Sequence, residues 1–130
     1  MIQIDLDSST PLTDQIVSEL RLAIASGSLG AGDELPPVRQ LAGDLGVNFN
    51  TVARAYRALE ASGLVSSQRG RGSRVVALVE PSSLHNPKNI VHRLRGALVD
   101  ARLGGWTQDQ LLSMVQVELQ SLWPSTSKEI

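Results

Sequence analysis

At 130 residues the chain has room for one domain with a modest appendage and a small core, but not for a large effector cavity. The absence of cysteine excludes a disulfide framework, a thiolate nucleophile and a zinc-finger site, and the acidic opening MIQIDLDSS leads into no apolar run, so neither a secretory signal nor a membrane span is expected and a cytoplasmic location follows. The net charge of −1 conceals a segregation: residues 1–35 hold one Lys or Arg against six Asp or Glu, residues 36–79 six against two, and residues 80–130 five against five, which makes the middle stretch the anion-seeking part of the chain.

In chain order, Ile2, Ile4 and Leu6 alternate with Gln3, Asp5 and Asp7, a pattern open to a short strand, an arm laid on a neighbour or a frayed terminus. A first helix is predicted from Ser8–Pro11 onward, because Leu12, Ile16, Leu20 and Ile24 recur every four residues and Val17 and Ala23 widen the stripe into a core-building face. Gly27, Gly30 and Gly32 then break the chain into a loop. Pro36 and Pro37 mark the start of a second helix, where Val38, Leu41, Ala42 and Leu45 take the spacing of one buried face. Gly46 can take positive φ at its end, Val47 plugs a tight turn, and Asn48 is a good N-cap for a third helix that stops at Gly63. On that helix Val52, Ala55, Tyr56 and Leu59 share one side, while Asn50, Arg54 and Arg57 lie opposite with amide and guanidinium groups that suit base edges and phosphates. The alternation in LVSSQ, the glycine-broken RGRGS and the β-branched run RVVALV read as a two-stranded hairpin whose tip holds Arg69, Arg71 and Arg74 around Gly70 and Gly72.

Beyond it, EPSSLHNPKN reads as a linker and a domain boundary. Asn86 and Pro87 form an N-cap and first-turn pair for a fourth helix with Ile90, Val91, Leu94, Leu98 and Ala101 on its apolar face, stopped by Gly104–Gly105. Thr107 with Gln110 forms a candidate capping box for a fifth helix, whose Leu111, Leu112, Met114, Val115, Val117, Leu119, Leu122 and Trp123 spread over more than one stripe. Such a helix must be buried on several sides, which two helices cannot achieve alone, so a second copy of the chain is expected to cover it. Leu94, Leu98, Leu112, Val115, Leu119 and Leu122 are the candidate dimerisation residues. After Pro124 the chain reads as a short polar tail.

The predicted architecture is thus mainly α with a small β-hairpin: an N-terminal winged helix-turn-helix over residues 1–79, a linker over 80–86 and a short two-helix C-terminal dimerisation tail over 87–130. LPPVRQLAGDLGVNFNTVARAYRALEASGLVSSQRGRGSRVV, with PLTDQIVSELRLAIASGSLGAGDELP upstream, resembles the DNA-binding domain of the GntR family of bacterial transcription regulators, and in particular its short-tailed YtrA-type subfamily. The resemblance covers residues 8–78. It implies a sequence-specific DNA-binding regulator, a repressor that binds a pseudo-palindromic operator as a homodimer. In that implied mechanism Asn50, Thr51 and Arg54 lie near base edges behind the Asn48 cap. Arg39 and Arg57 hold phosphates, and the wing, with Arg69, Gly70, Arg71, Gly72 and Arg74, tracks the adjacent backbone or minor groove. The length is expected to exclude the fused aminotransferase-like and multi-helix sensor domains of longer relatives.

The sequence departs from the family at Phe49 and Ala53, where members with large effector domains carry arginine, so no base contact carries over there. Phe49 could pack on the core side of the first turn or touch a thymine methyl, and packing is the favoured reading. His85 and His92 stand seven apart across a helix start, a poor chelating geometry, so no metal is expected. Trp106 and Trp123 are read as interface residues, and Arg93, Arg95 and Arg102 as a solvated face. No acid–base pair or nucleophile with its base is visible, so neither enzyme activity nor a cofactor is expected. A protein-interaction module is the competing class, and the polar helix face with an arginine-rich wing speaks for DNA instead. An unidentified small-molecule effector stays open as an added property.

Overall fold

The computed structural model describes residues 2–76 and 86–124 and divides the chain into two compact units, Met1–Leu78 and Val79–Ile130. The first unit contains helices α1 (Leu12–Ser26), α2 (Val38–Leu45) and α3 (Phe49–Ala61) and strands β1 (Val65–Gln68) and β2 (Gly72–Val75). Helix α3 is its centre, packing against α1, α2 and β1. The four-residue spacing of α1 puts Ile16 and Leu20 in the core that α1 forms with α3, which contributes Val52 and Leu59, and all four are fully buried. Each such side chain contributes on the order of 1.5–3 kcal/mol by leaving water. Leu41 and Ala42 of α2 complete the helical part of this core, and Val65 and Val75 close it at the base of the hairpin.

The strands pair antiparallel with Val65 opposite Val75, Ser66 opposite Arg74, Ser67 opposite Ser73 and Gln68 opposite Gly72. Only the Val65–Val75 rung is buried, so the hairpin is anchored at its base and projects into solvent. The strand predicted over Arg74–Val79 begins earlier, at Gly72, and ends at Val75; residues 77–79 lie outside the described residues.

The stretch before α2, read from sequence as plain loop, lies along the outer edge of β2. Leu35 N donates to Ser73 O at 2.8 Å, Val75 N to Asp33 O at 2.9 Å and Gly32 N to Val75 O at 2.8 Å, with a bridge between Glu34 and Arg74. Strand β2 is therefore paired on both sides. At the N-terminus residues 2–5 form an arm on their own α1 instead of a strand. Gln3 N donates to Glu19 Oε1 (3.2 Å), Asp5 N donates to Gln15 Oε1 (2.7 Å), and Gln15 Nε2 donates back to Asp5 O (3.0 Å).

The second unit contains α4 (Pro87–Leu103) and α5 (Gln108–Leu122). Asn86 caps α4 by accepting from Lys88 N, and Pro87 occupies the first turn, where its missing N–H costs nothing. Thr107 and Gln110 form the reciprocal capping box, Thr107 N donating to Gln110 Oε1 at 2.9 Å and Gln110 N to Thr107 Oγ1 at 3.1 Å. Neither helix contains a buried residue. Leu94, Leu98, Leu112 and Leu119 are exposed, while Val115 and Leu122 are half-buried. Among the described residues no helix is long and apolar enough to cross a membrane. Most of the predicted linker and the polar tail fall outside the described residues.

Candidate nucleic-acid interface

The entry to α3 is built by three consecutive residues. Gly46 ends α2 at φ 70°, a left-handed conformation that disfavours any side chain, and its N–H returns to the end of α2. Val47 N donates to Ala42 O at 3.0 Å, which closes the turn, and Asn48 Oδ1 accepts from Asn50 N at 2.7 Å. Asn48 is thereby committed to capping and presents α3 N-terminus first, the end that carries the positive pole of the helix.

Along α3 the division of faces is complete. Val52, Ala55, Tyr56 and Leu59 are buried, Asn50, Arg54 and Arg57 are exposed, and Thr51 is intermediate. Tyr56 is 5% exposed and its hydroxyl donates to Pro36 O, tying α3 to the segment that leads into α2. Burial disfavours the phenolate and pushes the Tyr56 pKa from 10.0 up to about 12.

Phe49, the first residue of α3, is not packed in the core, contrary to the favoured sequence reading. Its ring is 46% exposed, because the inward positions of the first turn belong to Val52 and its successors. The Arg39 guanidinium of α2 lies over this ring, with Cζ 5.6 Å from the centroid.

In the wing, Arg69, Gly70 and Arg71 form the turn, Arg71 N donating to Gln68 O at 2.9 Å, and both arginines are exposed. Arg74 is placed differently: it sits within β2, not at the tip. Its Nη1 donates to Gly32 O and its Nη2 to Glu34 Oε1, each at 3.1 Å. A Cβ at Gly72, which takes φ 72°, would stand 3.5 Å from Glu34 Oε2, so the wing and the segment before α2 approach closely here. Among the described residues Arg39, Arg54, Arg57, Arg69 and Arg71 have no carboxylate partner. Glu34 and the exposure of Phe49 were not legible in the sequence. The three-residue pairing around Glu34 is too short to show an alternation, and an apolar residue beside an N-cap carries no sign of which way it points.

His92 is exposed, His85 lies outside the described residues, and no group of three potential metal ligands occurs among the described residues. Comparisons with known proteins bear on the first unit and on the fold. Residues 12–75 match the model of bacterial regulatory proteins, gntR family. The chain is 34% identical over 112 residues to the HTH-type transcriptional repressor YtrA of Bacillus subtilis (strain 168), covering 85% of this chain and 86% of that protein. It is similar to the solved structure of YtrA from Sulfolobus acidocaldarius, a GntR-family transcription factor, with a TM-score of 0.62 and 35% identity over 76% of this chain and 97% of that one. It shares a fold with AraR(DBD) in complex with operator ORX1, at a TM-score of 0.53 and 24% identity, over 58% of this chain and 95% of that one.

Proposed function

The chain belongs to the gntR family of bacterial regulatory proteins, and from that premise we propose that it is a sequence-specific DNA-binding transcription repressor that reads a pseudo-palindromic operator as a homodimer. The observation that carries this reading is the polar face of α3. Asn50 and Arg54 stand in solvent opposite a buried stripe, just behind a capped N-terminus and, among the described residues, without acidic partners. An exposed amide and guanidinium so placed match adenine N6/N7 and guanine O6/N7 when the helix lies in the major groove. Thr51 stands beside them, and Asn48 fixes the entry angle. Arg39 and Arg57 supply phosphate contacts, which set register but carry no sequence information. Arg69 and Arg71 reach phosphates from the wing turn, where Gly70 and Gly72 keep the backbone close to the groove, while Arg74 holds the wing in place. The named relatives support this use of the fold: YtrA is a repressor, and AraR(DBD) was solved on an operator.

Residues 1–79 then form the reading unit, 80–86 the linker and 87–130 the dimerisation tail, with Leu94, Leu98, Leu112, Val115, Leu119 and Leu122 facing the second copy. Repression follows by occlusion of a promoter in the cytoplasm, and an unidentified small-molecule effector stays open as an added property. Selection of bound fragments from random and genomic DNA tests the reading, followed by Asn50→Ala and Arg54→Ala on the enriched sequence. Each variant is expected to lose about 1–3 kcal/mol at the operator with non-specific affinity nearly unchanged. Failure to enrich any sequence overturns the reading; equal loss on both DNAs moves these two residues to the backbone.

A further inference from the structure

We propose that Phe49 is a specificity-determining residue that reads the 5-methyl group of a thymine in the major groove, held in position by the Arg39 guanidinium on its ring. The inference rests on the DNA-reading function proposed above and goes beyond it by naming a base and the chemical group recognised. Its observation is the ring itself. Phe49 is the first residue of α3, it is 46% exposed, and it stands next to the capping Asn48 and the exposed Asn50. The N-terminal residues of a helix laid into the major groove are those nearest the base edges. Among the groups displayed there, only the thymine methyl is apolar, and a half-exposed phenyl ring gains by burying it.

The Arg39 contact decides between a fixed reader and a mobile one. A guanidinium 5.6 Å from the ring centroid is within cation–π range and restricts a ring that the core leaves 46% exposed. A cation–π contact uses none of the five guanidinium N–H donors as a hydrogen bond, so a phosphate can still accept from them. One pair of side chains can therefore grip the backbone and present an apolar surface to the adjacent base.

Replacing thymine by deoxyuridine removes the methyl group and leaves every hydrogen-bonding edge unchanged. The full chain is titrated with the selected operator and with copies in which each thymine in turn, at both half-sites, is deoxyuridine. One thymine position per half-site is expected to be sensitive, with a loss of about 4-fold for one methyl and about 15-fold for the symmetric pair, from about 0.8 kcal/mol per buried carbon. In Phe49→Ala the thymine and deoxyuridine operators should bind equally. Phe49→Leu, which keeps an apolar side chain, should retain part of the discrimination, and the circular dichroism melt of both variants reports that the fold is kept. An operator without a sensitive thymine, or a Phe49→Ala chain that still discriminates, overturns the inference and leaves DNA reading by Asn50 and Arg54 intact. Failure to enrich any operator overturns both, so the two failures are distinguishable.

Discussion

Tyr56 joins the core of the reading unit to the start of α2, since its ring is buried and its hydroxyl donates to Pro36 O. Tyr56→Phe removes that donor and should cost about 1 kcal/mol of unfolding free energy. The same residue sets a pH dependence. Its phenol is neutral when protonated, and the folded-state pKa of about 12 lies above the ordinary 10.0, so folding favours the protonated form. That contribution is complete below the unfolded value of 10.0 and is lost as pH rises through 12. Urea unfolding at about pH 9 and about pH 11 should show a larger stability loss for the wild type than for Tyr56→Phe. Equal losses in the two proteins would assign the alkaline transition to other groups. Arg74 is the residue whose placement the sequence conceals. Three arginines within RGRGSR look alike in one dimension, and only the pairing of β2 with residues 32–35 turns one of them back onto Glu34 and Gly32.

The wing and the recognition helix show why elements were legible to different degrees. Beyond Phe49, helix α3 could be read residue by residue, because an N-cap, a period near 3.6 and a stop at Gly63 all act locally. The pairing of Asp33–Leu35 with β2 joins residues about forty apart, and nothing local announces it. The same pairing yields a graded prediction for the wing. Arg69→Ala with Arg71→Ala should lower the slope of log K against log salt by about 0.9 for each phosphate that a protomer no longer neutralises. Arg74→Ala should leave the slope closer to that of the wild type while weakening binding, because it loosens the wing without removing a tip charge. An unchanged slope in the double variant would mean that the turn points away from the DNA. Equal slope changes in all variants would place Arg74 on a phosphate as well.

At the scale of the molecule, the two units differ in how far they cover their own apolar surface. The first encloses Ile16, Leu20, Val52 and Leu59 completely, whereas in the second Leu94, Leu112 and Leu119 remain 55%, 53% and 48% exposed. The spread of apolar residues around the fifth helix was legible in its sequence, but no pattern along one chain specifies what covers them or how it docks. Contiguous apolar surface of this kind marks an interface, and two-fold pairing is the commonest solution for identical chains. Sedimentation of the intact protein at micromolar concentration without DNA should therefore give a dimer. Deletion of residues 81–130 should leave a folded monomer that binds the operator far more weakly. A monomeric full-length chain would remove dimerisation as the role of the tail. The absence of any buried residue in α4 or α5 carries a consequence for descent. If the tail pairs two copies as proposed, substitutions in these helices change no core residue of the first unit, so the distance and phasing between half-sites can drift while the letters recognised in each stay the same. A lineage can in this way acquire new promoters by respacing an old word.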